Sequence, residues 1–183
     1  MVRNTILAAM LIVVCGVATA AEPKARGAYI GGAVGASTFD DGGASAGFFL
    51  DDQDTSFQLY GGYKFFKYFA VEARYVDLGS FSDGFDSLDI SAFSVHAVGL
   101  IPFGTSGWEL FGQLGLGQVN QEVAGIIDED DTAGAAGIGV RWHINESFAV
   151  AAQIDAYAWE NDTSGFLYDF SVATSQLAFQ LNF

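Results

Sequence analysis

Apolar and polar residues alternate along most of the chain, and the alternation is clearest in its last nine residues. One face of this segment carries a serine followed by large apolar residues: Ser175, Leu177, Phe179, Leu181 and Phe183. Successive side chains of a β-strand point to opposite faces, so this period of two predicts a strand with one apolar side. Such a strand is typical of a transmembrane β-barrel, whose outer face touches lipid. An ordinary edge strand of a soluble sheet is the alternative.

Eight segments show this pattern, each with about the ten residues that a tilted strand needs to cross a membrane. The predicted strands are Ala28–Phe39, Ser56–Phe65, Phe69–Gly79, Leu88–Ile101, Trp108–Gln121, Ala133–Ile144, Phe148–Trp159 and Asp169–Phe183. The connections after the second, fourth and sixth strands are short. The others are longer and rich in Asp, Gly and Ser: Asp40–Thr55, Ser80–Ser87, Glu122–Thr132 and Glu160–Tyr168.

Short connections at one end and long ones at the other are the topology of outer-membrane barrels. The predicted fold is therefore all-β, an eight-stranded antiparallel up-and-down transmembrane β-barrel. An even number of strands places both chain ends on the short-turn side. A soluble barrel of the lipocalin type would have the opposite polarity, apolar inside and polar outside.

Charged residues indicate which face of each strand points inward. A basic residue on the lipid-facing side near the membrane centre costs about 2–4 kcal/mol. The faces that carry Glu72, Arg74, Arg141 and Asp155 are therefore expected to line the lumen. Unpaired charges in a narrow interior are costly, so these four side chains are expected to form an ion-pair network. Eight strands enclose only enough space for side chains, which predicts a plugged lumen.

The beginning of the chain has the organisation of a secretory signal peptide. Arg3 supplies the positive charge, residues 6–14 are apolar, and Ala18-Thr19-Ala20 is a cleavage site of small residues. The apolar run is too short for a transmembrane helix. We predict a signal peptide over residues 1–21 and a barrel domain over residues 22–183, with cleavage after Ala20 or Ala21 left open.

Several short runs resemble the OmpA transmembrane-domain family of eight-stranded outer-membrane barrels. They are Gln58-Leu59-Tyr60-Gly61-Gly62-Tyr63, the run from Val71 to Gly79, and Leu114-Gly115-Leu116-Gly117. The resemblance implies a barrel with a polar interior filled by side chains, in which an inward glutamate of the third strand joins an ion-pair network. Glu72 stands at that position. The family's basic partner on the seventh strand is replaced here by Ala151 and Gln153, which leaves Arg74 and Arg141 as substitutes.

The end of the chain also resembles the C-terminal sorting signal of bacterial outer-membrane proteins, carried here by Leu177, Phe179, Leu181 and Phe183. This resemblance implies recognition by the barrel-assembly machinery. The expected location is the outer membrane of a Gram-negative cell, with the long loops outside and both termini in the periplasm. The expected surroundings are outer-membrane lipid and lipopolysaccharide, and the expected state is a monomer.

The chain is strongly acidic, with 22 Asp and Glu against 7 Lys and Arg and a net charge of −15. This charge excludes nucleic acid as a partner. Most of the acids lie in or beside the four long connections, which indicates either a solvated rim or weak divalent-cation binding. The candidate metal ligands are Asp128, Glu129, Asp130 and Asp131, although they do not match an EF-hand loop.

Candidate catalytic groups are few, and no cofactor motif is present in the sequence. Ser94 and His96 share a face of the fourth predicted strand about 7 Å apart, without a neighbouring acid to orient the imidazole. We therefore expect a non-enzymatic outer-membrane barrel with a structural or surface-interaction role, and a narrow porin-like pore of low conductance as a possible property. The alternatives are an adhesin-like protein that acts through its acidic loops and, third, a lipid A-modifying enzyme.

Overall fold

The computed structural model describes residues 22–40, 53–82, 87–123, 127–163 and 166–183, which form eight antiparallel strands. Each strand pairs with the next along the chain, and the last pairs with the first, so the sheet closes into a barrel. The strands are β1 (Gly27–Asp40), β2 (Gln53–Phe66), β3 (Phe69–Ser82), β4 (Ser87–Pro102), β5 (Trp108–Val123), β6 (Ile127–His143), β7 (Phe148–Thr163) and β8 (Phe166–Asn182). The predicted fold class is confirmed.

The described residues contain no helix long and apolar enough to cross a membrane. The predicted signal peptide over residues 1–21 lies outside the described residues.

The register of the strands fixes the tilt of the barrel. The pairing can be followed around the barrel by moving from each residue to its partner on the next strand. Starting at Tyr29 on β1, the partners are Gly62 on β2 and Glu72 on β3, and after a full circuit the path returns to β1 at Phe39. The offset of ten residues from Tyr29 to Phe39 is the shear of the barrel. For eight strands it corresponds to a strand tilt of about 40°. Side chains from neighbouring strands therefore stand at successively different heights in the lumen.

Three tight turns define the short-turn end of the barrel. Lys67 and Tyr68 join β2 to β3, residues 103–107 join β4 to β5, and residues 144–147 join β6 to β7. In the second turn Gly104 and Gly107 have φ values of 58° and 76°, which favour glycine. In the third turn, the side chain of Asn145 accepts hydrogen bonds from two backbone amides, each at 2.9 Å.

The strands extend further from the short-turn end than the sequence predicted. The segments Glu122–Thr132 and Glu160–Tyr168, expected as loops, are largely parts of strands, because Val123 pairs with Ile127 and Thr163 pairs with Phe166. The prediction of two long loops there was wrong. Backbone hydrogen bonds hold a hairpin together whatever the polarity of its side chains, so Asp- and Gly-rich segments can continue a strand beyond its apolar part.

The outer surface carries an apolar band bounded by aromatic residues. On β5, outward apolar side chains run from Trp108 to Leu116, and at the rise and tilt of such a strand they span about 21 Å. This height is close to the apolar band of outer-membrane barrels. Aromatic residues are concentrated at the short-turn edge of the band, where Trp108 stacks on Trp142 with ring centroids 5.9 Å apart. The exposed aromatics at this edge include Tyr63, Phe65, Phe66, Tyr68, Phe103, Phe148 and Phe183.

Candidate functional site: the interior of the barrel

A buried polar network centred on Arg74 crosses the middle of the lumen. The guanidinium donates hydrogen bonds from Nε to Glu72, from Nη2 to Gln113, and from Nη1 to Asp155 at 3.3 Å. Glu72 and Arg74 lie on β3, Gln113 on β5 and Asp155 on β7, so the network joins opposite walls of the barrel. Arg74 is 1% exposed, and its two carboxylate partners offset the cost of removing its charge from water.

Neutral side chains extend this network to further strands of the barrel. Gln153 Nε2 donates to Asp155 at 2.8 Å and to Gln176 at 3.2 Å, and Gln176 donates to Ser56 at 3.0 Å. On the other side, the hydroxyl of Tyr29 donates to Glu72 at 2.9 Å. The network therefore links β1, β2, β3, β5, β7 and β8 across the lumen.

A second group of charges, the ionic cluster, lies nearer the short-turn end and consists of Lys64, Glu109, Arg141 and His143. Glu109 accepts a hydrogen bond from Lys64 Nζ at 2.7 Å and another from Arg141 Nη1 at 3.0 Å. His143 Nε2 lies 3.7 Å from Glu109. The Arg141 guanidinium also stacks over the rings of Phe111 and Tyr29, 4.8 and 5.8 Å from their centroids. Tyr29 thus contacts both the ionic cluster and the polar network.

Farther from the short turns, the described side chains inside the lumen are mainly apolar. The apolar side chains that fill this part, here called the apolar layer, are all buried: Val76, Leu78, Ile90, Ala92, Val119, Ala133, Ala135, Tyr157, Trp159 and Val172. They come from β3 to β8 and lie directly above the polar network. An ion would have to leave its water to pass such a layer.

The outer wall at the height of the apolar layer carries polar residues beside two exposed aromatic ones, Tyr75 and Phe93. Its outward residues include Asp77, Gln118, Asn120 and Ser171, all exposed. The polarity of the two faces therefore changes along the length of the barrel. Near the short turns the outside is apolar, and the inside combines the charged groups with a second buried apolar cluster that includes Val98, Leu100 and Phe111. Farther away the outside gains polar residues and the inside is mainly apolar. The second arrangement is the one that a sheet adopts when its outer face is in water.

Glycines on the inner face make room for the large side chains of both charged groups. A Cβ added at Gly137 would overlap Asp155, and one at Gly115 would lie 2.7 Å from His96. An added Cβ at Gly62 would lie 2.6 Å from the Tyr29 ring. The inner glycines therefore leave space that charged and aromatic side chains of the neighbouring strand occupy.

Comparison with known proteins assigns the chain to a family. A family model described as "Outer membrane protein beta-barrel domain" matches residues 6–183.

The chain belongs to this family of outer-membrane β-barrel proteins.

Solved structures similar to this outer-membrane barrel share its fold. Neisserial surface protein A has a TM-score of 0.69 at 10% identity, over 87% of this chain and 99% of that chain. Ail, the attachment invasion locus protein of Yersinia pestis, has a TM-score of 0.57 at 19% identity, over 87% and 100%, and its structure has also been solved with the heparin analogue sucrose octasulfate. The N-terminal barrel of Pseudomonas aeruginosa OprF has a TM-score of 0.53 at 16% identity, over 87% and 100%. No curated protein matches the chain.

The sequence-predicted lumen residues of this outer-membrane barrel fall into two groups rather than one. Glu72, Arg74 and Asp155 meet in the polar network, whereas Arg141 pairs with Glu109 in the ionic cluster. Arg141 and Glu109 are direct partners in the β5–β6 register, which places their side chains next to each other. The expectation that all four charges form one network was wrong in this respect.

Glu109 and Lys64 were not among the lumen charges predicted from the sequence. The alternation of Trp108, Glu109 and Leu110 already indicates that Glu109 faces the lumen, since its two neighbours are large and apolar. Lys64 also lies inside the barrel, near the end of β2, where it is 6% exposed. The residues on either side of Lys64, Tyr63 and Phe65, are aromatic and point outward. The alternation of the strand therefore also places Lys64 on the lumen side.

Ser94 and His96 are closer than the sequence suggested. The distance between Ser94 Oγ and His96 Nε2 is 2.7 Å, because the two side chains lean toward each other along β4. Both residues are buried in the polar part of the lumen, 2% and 1% exposed. Burial of this degree keeps a substrate away from either group, so we interpret the pair as part of the filling of the barrel.

The candidate metal ligands Asp128, Glu129, Asp130 and Asp131 lie on β6, where their backbones pair with β5 residues from Val119 to Glu122. Their side chains are outside the described part of the structure. Within the described residues, no group of three or more His, Cys, Asp or Glu could hold a metal ion. Of the residues predicted to form a sorting signal, Leu177, Phe179 and Leu181 lie at the outward face of β8 and Phe183 directly follows the strand; all four are exposed.

Proposed function

We propose that the protein is a closed outer-membrane barrel with a structural and surface-interaction role, and that it does not act as an open pore. The observation that carries this proposal is the stacking of the apolar layer on the polar network. Charges that are paired through hydrogen bonds fill the middle of the lumen, and apolar side chains fill the part above it. A hydrated ion would have to displace both, and each displacement is costly.

The test is the conductance of purified protein reconstituted into planar bilayers. We expect no steady conductance from the wild type. A variant without residues 41–52 and 83–86 should be equally closed, because the side chains inside the barrel, rather than the connections, block the lumen. Large and steady porin-like currents from the wild type would contradict the proposal. Currents that appear only after the connections are removed would show that the connections, rather than the side chains inside the barrel, block the lumen.

The aromatic edge at the short turns, and the polar outward residues that appear farther from them, support one orientation in the membrane. We propose that the short-turn end, with its aromatic edge, lies in the periplasm, and that the hairpins beyond the apolar band project from the cell surface past the lipopolysaccharide. The paired hairpins β5–β6 and β7–β8 would then form a rigid base for contacts with other molecules. We further propose that the barrel-assembly machinery recognises Leu177, Phe179, Leu181 and Phe183.

An adhesin-like role is the second candidate, and the projecting hairpins favour it. The partner would differ in charge from the sulfated ligand crystallised with Ail. The segments at the long-connection end of this chain carry many Asp and Glu residues, which repel a polyanion. A cationic partner, or a divalent cation that bridges carboxylates to lipid phosphates, fits this charge better.

Calcium titration of the folded protein tests the cation part of this proposal. Because no ligand loop is evident, we expect weak binding at several sites, with Asp128, Glu129, Asp130 and Asp131 contributing. Changing all four residues to Asn or Gln should reduce the heat of binding measured by calorimetry. If the wild type binds nothing at millimolar calcium, or the variant binds equally well, the acidic residues serve only as a solvated rim.

A further inference from the structure

A small cavity opens at the short-turn mouth of the barrel, next to the ionic cluster. Its volume is about 10 Å³. It is lined by the segment that precedes β1, by the end of β8, and by side chains from β1, β2 and β6. The lining residues that matter here are Lys24, Arg26, Lys64, His143, Gln180 and Asn182.

The charge around this cavity is positive. Three of its lining side chains, Lys24, Arg26 and Lys64, are basic, and none is an Asp or Glu. The α-carboxylate of Phe183 is the negative group at the lining, and Glu109 lies behind Lys64. Glu109 is already shared between Lys64 and Arg141, so it balances only one of these two charges. The mouth therefore has cationic groups without a matching carboxylate.

Buried polar atoms at the cavity also lack partners among the described residues. Gln180, 4% exposed, and Asn182 share a hydrogen bond of 2.6 Å, which leaves the other amide atom of each unpaired. Whichever way the two amides are oriented, one N–H donor remains unpaired. The Nε2 atom of His143, which is 3% exposed, makes no hydrogen bond of normal length and lies 3.7 Å from Glu109. Unpaired buried polar groups call for a ligand or an ordered solvent molecule.

We propose that this cavity binds one small anionic group, either a halide ion or a single oxygen of a phosphate. The volume suits one group of about the size of a water molecule. The lysine and arginine side chains supply the charge, and the amide of the Gln180–Asn182 pair supplies a directed donor. The site lies at the short-turn end, as does the aromatic edge of the barrel, so the same chemistry could come from a free ion or from a phospholipid headgroup. This inference does not depend on the proposed surface role.

The test is an NMR titration of the mature protein in maltoside micelles, a detergent without phosphate. Sodium chloride replaces sodium gluconate at constant ionic strength, so general screening stays fixed, and inorganic phosphate is tested in the same way. We expect saturable shifts of the Gly27 and Asn182 amides and of the His143 imidazole. No saturable shift with either anion would overturn the proposal.

Two variants distinguish a site from general charge attraction. Lys24→Gln combined with Arg26→Gln should weaken binding by about fivefold or more, since two cations are lost at a partly exposed site. Lys67→Gln is the matched control, because Lys67 is a basic residue of the same rim that pairs with Glu22 and does not line the cavity. Equal weakening by the control would show that no specific site exists.

A second arm identifies the source of the anion. The titration is repeated in nanodiscs that contain phosphatidylglycerol. If a lipid phosphate occupies the cavity, the three resonances should already be shifted before chloride is added, and free anions should produce no further change. If they titrate as in micelles, the site takes a free anion. Either outcome supports the site, whereas unshifted resonances that do not titrate in the nanodiscs would contradict it.

Discussion

Replacing Arg74 with methionine is expected to lower the free energy of unfolding by about 3–5 kcal/mol. The substitution removes the cation that Glu72 and Asp155 share and leaves two buried carboxylates without a compensating charge. Methionine fills much of the same space, so the lower free energy of unfolding would reflect the missing positive charge rather than a cavity. The measurement is urea unfolding in lipid vesicles, followed by the difference in gel mobility between unheated and boiled protein.

Two further variants make this result interpretable. The triple variant Arg74→Met, Glu72→Gln, Asp155→Asn should recover most of the loss, because neutral residues need no partner charge. Lys67→Met breaks the exposed ion pair with Glu22 and should cost about 1 kcal/mol or less. If Arg74→Met is no more destabilising than Lys67→Met, the polar network does not stabilise the barrel.

Replacing Phe179 with arginine is expected to cost about 2–4 kcal/mol and to reduce the amount of folded protein in the membrane. Phe179 lies on the outward face of β8 between Leu177 and Leu181 and is 60% exposed. A guanidinium at this position would have to enter the hydrocarbon. The folded fraction is measured in membrane preparations from the unheated gel band, and the unfolding free energy is measured in vesicles.

Ser171→Arg is the control for this substitution. Ser171 is exposed at the outward face of the same strand, but it lies beyond the apolar band, where a charge costs about 0–1 kcal/mol. Equal effects of the two substitutions would show that the outer face of β8 is not embedded in lipid at Phe179. Together the two variants locate the edge of the apolar band on this strand.

The sequence determined much of the fold by local patterns. The period of two identified all eight strands and assigned Glu72, Arg74, Arg141 and Asp155 to the inner face. Strand ends beyond the apolar band were less well predicted. On β6, the Asp- and Gly-rich start of the strand has the composition of a loop, and only its pairing with β5 makes it a strand.

The tertiary structure alone decided which charges meet. The shear of the barrel sets the relative height of each strand, and it brings Arg74 of β3 to Asp155 of β7 across the lumen. It also places Arg141 beside Glu109, and Lys64 of β2 within reach of the same carboxylate. Alternation gives the face of each residue but not its height, because height depends on the register of all eight strands together. For the same reason, the division of the lumen into an ionic cluster, a polar network and an apolar layer appears only in the closed barrel.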